Sequence, residues 1–543
     1  MTSRIDVPVI QHPEGETAAW WFRDGAAQAA SRGAMRGTAR NVILFVGDGM
    51  SLTTVTAARI LDGQRKGGPG EDNRLSWEHF PHTALSKTYN TDSQTPDSAG
   101  TMTAMASGVK TRGGVLGIGQ TPPRGECTGT EDDRLLSVLQ LAESAGLATG
   151  IVTTTRITHA TPGAAYAHAD RNWENDTQVP QAARARGCID IARQLIESSA
   201  GNGLDVIMGG GRMHFMTAGQ RDPDAVNEAG RRLDGRDLIG AWQRQHPQGA
   251  YVRNREQLAA AKGKSPVLGL FAYDHLNFEH DRGKDPTEPG LVELTRAAIT
   301  RLQSSGEGYV LLVEGGRIDH AHHYGNAYRA LTDTIALSEA VQAATELTSD
   351  SDTLILVTAD HSHTLTFAGY PLRGNPILGK VRGSSGEEDG GGLVNDATGL
   401  PYTTLGYANG PGYTGASASQ AAGPKTFLHG GSGYQRADGR PDLTDVDTAH
   451  PDYLQEATVP LGNESHGGDD VGIWARGPGS DAVRGTVEQN VIFHFMVQAT
   501  PKLRERLCAE KLCNPEGVPV DLPKPEDFVG VSRDDESLRQ NRR

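Results

Sequence analysis

The sequence predicts an α/β fold with a central, mostly parallel sheet sandwiched by helices. Short, β-branched apolar runs recur along the chain, they end in Gly, Asp or Glu, and helical patterns follow them. Strands that are apolar throughout are typical of parallel sheets, because helical crossovers cover both faces. The predicted strands are 42–46, 148–154, 204–208, 309–313, 353–358 and 470–475. The predicted helices are 132–145, 290–304, 328–347 and 486–498.

Composition divides the chain into four parts. Residues 1–40 are interpreted as an N-terminal arm and 501–543 as a polar, Pro-containing tail. The stretch 371–463 is rich in Gly, Pro, Ser and Thr and has weak periodicity, so we expect an insertion outside the main sheet. The α/β core then comprises residues 41–370 and 464–500.

Bulk properties exclude several classes of function. The 543 residues carry a formal charge of −15, whereas broad binding of nucleic acid or anionic membranes needs a basic face. The sequence contains no run of about 18 apolar residues, so no transmembrane helix is predicted. The N-terminus (MTSRIDVPVIQHPEGE) lacks the pattern of a signal peptide, and the charged C-terminus (DDESLRQNRR) lacks that of a hydrophobic anchor. We therefore expect either a cytosolic protein or a chain that starts after processing, with no membrane anchor.

The four cysteines are Cys127, Cys188, Cys508 and Cys513. None forms a CxxC pair, so a thiolate metal site is not expected. The residues alone leave two interpretations open: four buried thiols, or local disulfides 127–188 and 508–513 in an oxidising compartment.

Candidate metal ligands stand next to the predicted strands. Asp48, Glu314 and the pair Asp360-His361 follow three of them, and Glu464-Ser465-His466 precedes the last. Ligands of open α/β sheets bind beyond the carboxyl ends of the strands, so these groups should gather at one edge. One such Asp is usually a helix cap or a turn residue, but several together repel one another unless cations neutralise them. We therefore predict a metal centre at this edge.

The ligand types indicate which metals bind there. Asp319 and His323 are four residues apart and share one face if their segment is helical. Carboxylate and imidazole ligation without cysteine is typical of zinc, whereas an all-oxygen set with waters is typical of magnesium. Metal sites that combine carboxylate and imidazole ligands commonly keep a position open for water or substrate, which favours a catalytic centre.

A candidate nucleophile stands at the start of a predicted helix. Pro96-Asp97-Ser98 followed by small residues places Ser98 in the first helical turn. An ordinary capping serine is the commoner interpretation, but a helix N-terminus also stabilises an alkoxide or a phosphate. Arg171, in the segment AHADRNW, is able to bind two phosphate oxygens as a bidentate fork, although alone it is merely a surface arginine.

Six sequence blocks together resemble the alkaline phosphatase family, its animal type more closely than its enterobacterial type. They follow the family's order and extend from about residue 40 to about residue 500. The blocks are NVILFVGDGM, TPDSAGTMTA, TTTRITHATPGAAYAHADRNW, LLVEGGRIDHAHH, LVTADHSHTLTFAGYPLRG and ESHGGDDVGIWARGP. The resemblance implies the family's α/β fold, in which the insertion 371–463 corresponds to a crown-like region that caps the dimer.

The resemblance also implies two zinc ions and one magnesium ion. The implied ligands are Asp319, His323 and His466 for the first zinc, Asp360 and His361 for the second zinc, and Asp48 (shared with the second zinc), Thr161, Glu314 and, through water, His159 for the magnesium. His320 and His363 match histidines that surround the ligands in the animal type.

The implied reaction is hydrolysis of phosphate monoesters, with Ser98 as the nucleophile that forms a phosphoserine and Arg171 as the phosphate clamp. The cysteine positions match family disulfides, which favours the disulfide interpretation and a secreted or periplasmic location. The segment FAGYP resembles the animal segment whose tyrosine reaches across a homodimer, so we expect Tyr370 of one subunit to approach the metal site of the other.

Three departures from the family pattern limit the transfer. The insertion 371–463 is long, and only its start (YPLRG) and its end look familiar. The segment between His159 and Arg171 is one residue shorter, so Arg171 is assigned through the RNW motif. Animal enzymes carry a calcium site that uses a Glu after a Leu-Phe pair, but Ala272 stands there in this sequence. We therefore expect calcium binding to be absent or weak, with Asp224 and Asp285 as remaining acidic residues.

Rival functions fit the sequence less well. Sulfatases need a Cys or Ser in a modification motif, which is not seen. Phosphodiesterases often use Thr and lack the third metal, for which Thr161 and Glu314 are present. A non-catalytic metal- or phosphate-binding protein would not need Ser98 and Arg171 beside the full ligand set.

Overall fold

The structure is a computed structural model that describes residues 16–127, 133–197, 201, 203–383 and 391–529. Its strands are β1 (Asn41–Gly47), β2 (His82–Lys87), β3 (Val115–Leu116), β4 (Ala148–Arg156), β5 (Ala169–Asp170), β6 (Val206–Gly210), β7 (Ala250–Val252), β8 (Val267–Leu270), β9 (Tyr309–Gly315), β10 (Thr353–Ala359), β11 (Ser362–His363), β12 (Leu365–Phe367), β13 (Leu405–Gly410), β14 (Lys425–Thr426), β15 (Tyr453–Leu454), β16 (Ala457–Pro460), β17 (His466–Gly467), β18 (Val471–Arg476) and β19 (Gly485–Glu488).

Fifteen α-helices lie within the described ranges. They are α1 (Ala18–Ser31), α2 (Leu52–Arg65), α3 (Ser98–Ser107), α4 (Val138–Ser144), α5 (Ala160–Gly163), α6 (Gln181–Ala185), α7 (Ile191–Ile196), α8 (Leu238–Gln245), α9 (Arg255–Ala260), α10 (Glu279–Arg282), α11 (Leu291–Gln303), α12 (Arg317–His323), α13 (Ala327–Leu347), α14 (Val491–Ala499) and α15 (Pro501–Ala509).

Ten strands form one large sheet in the order β19-β2-β18-β10-β1-β9-β4-β6-β8-β7. Only β18 runs antiparallel to its neighbours, β10 and β2, among the described strands of this sheet. The mostly parallel sheet predicted from the sequence is therefore confirmed.

The central strand β1 is buried along its whole length and separates two apolar cores. Val42, Leu44 and Val46 belong to one core, and Ile43 and Phe45 belong to the other. This division follows from the alternation of side chains along a strand. Helices α1, α4 and α14 contribute to the first core, and α2, α11 and α13 contribute to the second. Helices thus cover both faces, as the continuous apolar runs indicate.

The register of the three central strands brings their carboxyl ends together. Gly47 at the end of β1 pairs with Ala359 of β10 and with Gly315 of β9. Asp48 and Asp360 follow directly, and Glu314 pairs with Val46 one residue earlier. The acidic residues singled out in the sequence therefore meet at one edge.

Two helix predictions differ from the structure. The predicted helix 486–498 is wrong at its start, because Gly485–Glu488 pairs in parallel with β2 as an edge strand and α14 begins only at Val491. The predicted helix 132–145 is observed as Val138–Ser144, because the Ser137 side chain caps it by accepting the N–H of Gln140 at 3.1 Å. Residue 132 lies outside the described residues.

The described part of 371–463 contributes strands to small sheets only. β13 and β16 form a three-stranded sheet with β12, and β14 pairs with β15. The buried ammonium of Lys425 stabilises this region by donating to the carbonyls of Ala421 and Gly423 at 2.8 and 2.9 Å.

Both cysteine pairs are disulfide-bonded. Cys127 is joined to Cys188, 61 residues later, and Cys508 is joined to Cys513. The disulfide interpretation is therefore confirmed. Among the helices of the described ranges, none combines the length and apolar character needed to cross a bilayer.

Candidate active site

Three carboxylates lie together at the carboxyl edge of the sheet. Asp48, Glu314 and Asp360 are fully buried. Burial raises the pKa of Asp48 well above its usual range, and the charge of Asp360 raises it further. Burial also raises the pKa of Glu314 to about 7. Carboxylates this close need a proton or a cation to neutralise them, which fits the predicted metal centre.

The first group of candidate ligands contains Asp48, His159 and Glu314, whose ligand atoms lie within 4.8 Å of one another. Oγ1 of Thr161 lies 3.4 Å from Oδ2 of Asp48. Oε1 of Glu314 and Nδ1 of His159 are buried without a hydrogen-bond partner among the described residues. Buried acceptors without partners are costly, so these atoms fit a bound cation with its waters, as predicted for magnesium.

His361 belongs to a second group, with Asp48 and Asp360. Its Nδ1 donates to the carbonyl of Ser362 at 3.2 Å, which leaves the lone pair on Nε2. Nε2 lies 3.3 Å from Oδ2 of Asp360 and 3.4 Å from Oδ1 of Asp48. Burial lowers the pKa of His361 well below its usual range, so the imidazole is neutral. The lone pair of its Nε2 therefore faces two carboxylates. A cation between these groups removes the repulsion, and this donor set suits zinc.

Asp319, His323 and His466 form a third group. Nδ1 of His323 donates to the carbonyl of Glu464 at 2.5 Å, and Nδ1 of His466 donates to the carbonyl of Pro96 at 2.8 Å. Both Nε2 atoms therefore carry lone pairs. They lie 3.2 Å apart, and 3.3 and 3.4 Å from Oδ1 of Asp319. Lone pairs that converge in this way also fit a zinc ion.

Ser98 is the first residue of α3 and lies beside the second metal-ligand group. The helix begins there because Asp97 occupies the N-cap, where its side chain accepts the N–H of Gly100 at 3.1 Å. Oγ of Ser98 lies 3.1 Å from Nε2 of His361 and 3.4 Å from Oδ1 of Asp48. The hydroxyl is therefore buried at a helix N-terminus, where negative charge is stabilised.

Arg171 is anchored next to Ser98. Its backbone N–H donates to the carbonyl of Gly114 at 3.0 Å, and its Nη1 donates to Oδ2 of Asp97 at 2.8 Å. About a quarter of the side chain is exposed. The guanidinium is thus partly exposed and bound to the N-cap residue of α3, which directly precedes the candidate nucleophile.

The two further histidines that the resemblance implies lie in different surroundings. Nε2 of His363 lies 2.7 Å from Oδ1 of Asp319. Burial lowers the pKa of His363, but the charges of Glu464 and Asp319 outweigh it and raise this pKa to about 10. The ring of His320 packs against His159, with 5.3 Å between centroids.

Sequence reasoning assigned no role to three residues that support the site. Asp97 caps α3 and holds Arg171, a role that its N-cap position could have indicated. Glu464 binds His363, and His275 packs against His320 with ring centroids 4.3 Å apart. Glu464 stands beside His466 at the predicted sheet edge, but its pairing with His363 has no local sequence signal, and neither has the position of His275, because their partners are distant in the chain.

Comparison with known proteins agrees with this geometry. The family model of alkaline phosphatase matches residues 39–501. The chain belongs to the alkaline phosphatase family. It is 43% identical to the tissue-nonspecific alkaline phosphatase of Gallus gallus over 502 residues, which cover 90% of each protein. The corresponding Homo sapiens isozyme is 42% identical over 470 residues, which cover 85% of this chain and 83% of the human protein.

Solved structures share the fold of this alkaline phosphatase. The Thermus thermophilus alkaline phosphatase superposes with a TM-score of 0.59 and 25% identity, covering 88% of this chain and 98% of that protein. The alkaline phosphatase of the Antarctic bacterium TAB5 superposes with a TM-score of 0.55 at 20% identity, covering 86% of this chain and 98% of that protein. This similarity supports the fold alone. The resemblance to the animal type is therefore confirmed, and the protein is a phosphoric monoester hydrolase.

Proposed function

We propose that this enzyme hydrolyses phosphate monoesters through a phosphoserine at Ser98, with two zinc ions and one magnesium ion. The observation that carries the proposal is the position of Oγ of Ser98, 3.1 Å from Nε2 of His361 at the N-terminus of α3. The proposed ligands are Asp319, His323 and His466 for the first zinc, Asp360, His361 and Asp48 for the second, and Asp48, Thr161, Glu314 and, through water, His159 for the magnesium.

The residues of the chain then divide the reaction between them. Oγ of Ser98 attacks phosphorus, and its proton passes through water to the departing oxygen, so that a serine–phosphate bond forms while the ester bond breaks and the alcohol leaves. Arg171 and the backbone N–H groups of the first turn of α3 bind the non-bridging oxygens. Water then attacks the phosphoserine, which releases phosphate and restores the hydroxyl of Ser98. When bound, the metals supply Lewis acidity that lowers the pKa of Ser98 and neutralises the departing oxygen.

A comparison of substrate classes tests this function. The protein, loaded with zinc and magnesium, should hydrolyse aryl phosphate monoesters far faster than the matching diesters. The physical reason is that Arg171 and the helix N-terminus offer donors to several charged oxygens, of which a diester has fewer. Faster hydrolysis of the diester would reject the proposal, and rapid quenching should trap phosphate on Ser98 with monoesters.

We also propose an extracytoplasmic location and a homodimer. The two disulfides support the location, because such bonds persist in oxidising compartments. The exposed Tyr370 supports the dimer, with the insertion 371–463 beside it as a crown-like cap. Reduction should lower the unfolding temperature, since a disulfide that closes a long loop contributes about 4 kcal/mol. Free reaction of all four thiols in the folded, unreduced protein would remove the support for this location.

A further inference from the structure

Glu464 is a buried carboxylate just before the metal-ligand candidate His466, with only 1% of its surface exposed. Its Oε1 accepts hydrogen bonds from the N–H and the hydroxyl of Thr364, each at 2.6 Å. Its Oε2 binds Nδ1 of His363. The carboxylate therefore has a partner for each oxygen, and it is held in one orientation.

The hydrogen bonds continue from Glu464 to both ligand candidates on α12. His363 lies between two carboxylates, since its Nε2 is 2.7 Å from Oδ1 of Asp319. The backbone carbonyl of Glu464 accepts Nδ1–H of His323 at 2.5 Å, and its backbone N–H donates to the carbonyl of His323 at 2.9 Å. One residue thus orients Asp319 through its side chain and His323 through its main chain.

The insertion 371–463 packs against Glu464 through Gly410. Gly410 ends β13 with a φ of 131°, and a Cβ built on it would lie 2.9 Å from Cβ of Glu464. Only glycine allows this close approach and this backbone conformation. The neighbouring Asn409 holds Ser465 by two hydrogen bonds, of 2.9 and 3.0 Å. Packing therefore limits the movement of Glu464 and connects the insertion to the metal-ligand loop.

We propose that Glu464 is a positioning residue of the first metal site, which orients Asp319 through His363 and fixes the ring of His323 so that its Nε2 faces the metal. The inference rests on the proposed zinc ligation. Partners of this kind hold metal-binding imidazoles and carboxylates in place, and their loss typically lowers metal affinity about 10- to 100-fold. Glu464 itself touches neither substrate nor metal in this role.

Zinc binding to the metal-free protein tests this role directly. Glu464→Gln keeps the size of the side chain and the backbone carbonyl, but removes the charge opposite His363. In competition with a chromophoric chelator, the variant should bind one of its two zinc ions about 10- to 100-fold more weakly and the other with unchanged affinity. Glu464→Ala should weaken the same ion further, and excess zinc should restore turnover of the Gln variant.

A matched control separates positioning from general destabilisation. Asp190 is similarly buried and binds Arg232 at 2.8 Å, away from the site, so Asp190→Asn should lower the unfolding temperature without selective loss of one zinc ion. If Glu464→Gln binds both zinc ions as tightly as the unchanged protein does, the inference is overturned but the proposed function is not. Equal weakening of both zinc ions in Glu464→Gln would also overturn it. An unchanged protein that binds fewer than two zinc ions would overturn the proposed function, and the inference with it.

Discussion

Nε2 of His361 lies 3.1 Å from Oγ of Ser98, while Nδ1 of the same ring donates to the carbonyl of Ser362 at 3.2 Å. The ring therefore presents a lone pair to the serine hydroxyl and to the carboxylates of Asp48 and Asp360. A cation bound by these three ligands would be next to Oγ, where it favours the alkoxide form. The nucleophile and one metal site thus form a single unit.

Ser98→Ala should lower monoester turnover by several orders of magnitude and leave the bound metals in place, because the variant lacks the attacking oxygen but keeps the proposed metal ligands. Steady-state kinetics and metal analysis of the same sample check both parts. Ser107→Ala is the matched control, since Ser107 ends the same helix and its hydroxyl donates to the carbonyl of Thr103 at 2.7 Å. Near-normal turnover of Ser98→Ala with a trapped covalent intermediate would show that another residue is the nucleophile.

Dialysis against a chelator should abolish activity, zinc should restore most of it, and magnesium should add more. His323→Ala should weaken the first zinc more than the second, because Nε2 of His323 lies 3.3 Å from Oδ1 of Asp319 and is not among the partners of His361. Metal analysis after limited dialysis measures the difference. Fewer than two transition-metal ions per active chain would contradict the assignment.

The sequence predicted the site best where local pattern determines position. Asp48 and Asp360 follow apolar strands, and parallel strands end at the same edge of a sheet, so their convergence could be foreseen. The start of α3 at Ser98 follows from the N-cap Asp97. The exact ligand sets came from the family resemblance, since spacing alone does not distinguish His320 from His323.

Other features depend on long-range pairing that no local pattern encodes. Glu464 lies in a loop, and its partner His363 is 101 residues away in sequence. The edge strand β19 has one buried residue, Val487, so its sequence does not distinguish it from the start of a helix. Its strand conformation comes from pairing with β2, which precedes it by about four hundred residues.

Calcium should not bind tightly near Ala272. Two acidic residues of this region are already neutralised by guanidinium groups: Arg212 binds Asp222 at 2.7 Å and Asp224 at 3.0 Å, and Arg253 binds Asp224 at 2.6 Å. Millimolar calcium should therefore leave the activity and the unfolding temperature of the zinc- and magnesium-loaded protein unchanged. The prediction would be contradicted if calorimetry found one tightly bound calcium ion that other metals do not displace.

Asp333→Asn should stabilise the protein in alkaline solution. Burial raises the pKa of Asp333 to about 8, against the attraction of Arg317, whereas the unfolded value is 3.8. Between these values the folded protein holds a proton that the unfolded chain has released, so this group lowers stability as pH rises through the window. The unfolding temperature of the variant should exceed that of the unchanged protein increasingly from pH 4 to about 8, then by a constant amount.

Asp281→Asn is the control of opposite sign. Burial opposes ionisation of Asp281, but hydrogen bonds from Arg329 and Lys284 hold its pKa at about 2. Its contribution to stability is present above the unfolded pKa and is lost as pH falls through about 2, so the variant should be less stable at neutral pH. A pH-independent difference for Asp333→Asn would show that Asp333 is ionised in the folded protein.

Tyr370→Ala should weaken a homodimer and change its kinetics together. In the single chain 94% of the Tyr370 side chain is exposed, next to Phe367 at 40% and Leu372 at 36%. A large aromatic side chain this exposed has little packing to lose within its own subunit, so an interface is the physical reason to keep it there. In a two-fold dimer each contact occurs twice, and a tyrosine that is a hot spot contributes about 2 kcal/mol, so the two contacts together contribute about 4 kcal/mol, roughly a thousandfold in the dissociation constant.

Sedimentation at several protein concentrations measures the dissociation constant, and kinetics on the same samples show whether KM or kcat changes with it. Leu233→Ala is the matched control, because Leu233 is 75% exposed and should alter neither quantity. The structural alternative is a tyrosine that serves only its own subunit, and it predicts normal assembly in the variant. A fully active monomer at assay concentrations would reject the dimer. A dimer with unchanged kinetics in Tyr370→Ala would reject the approach of Tyr370 to the partner's active site, because a side chain near substrate cannot be removed without altering KM or kcat.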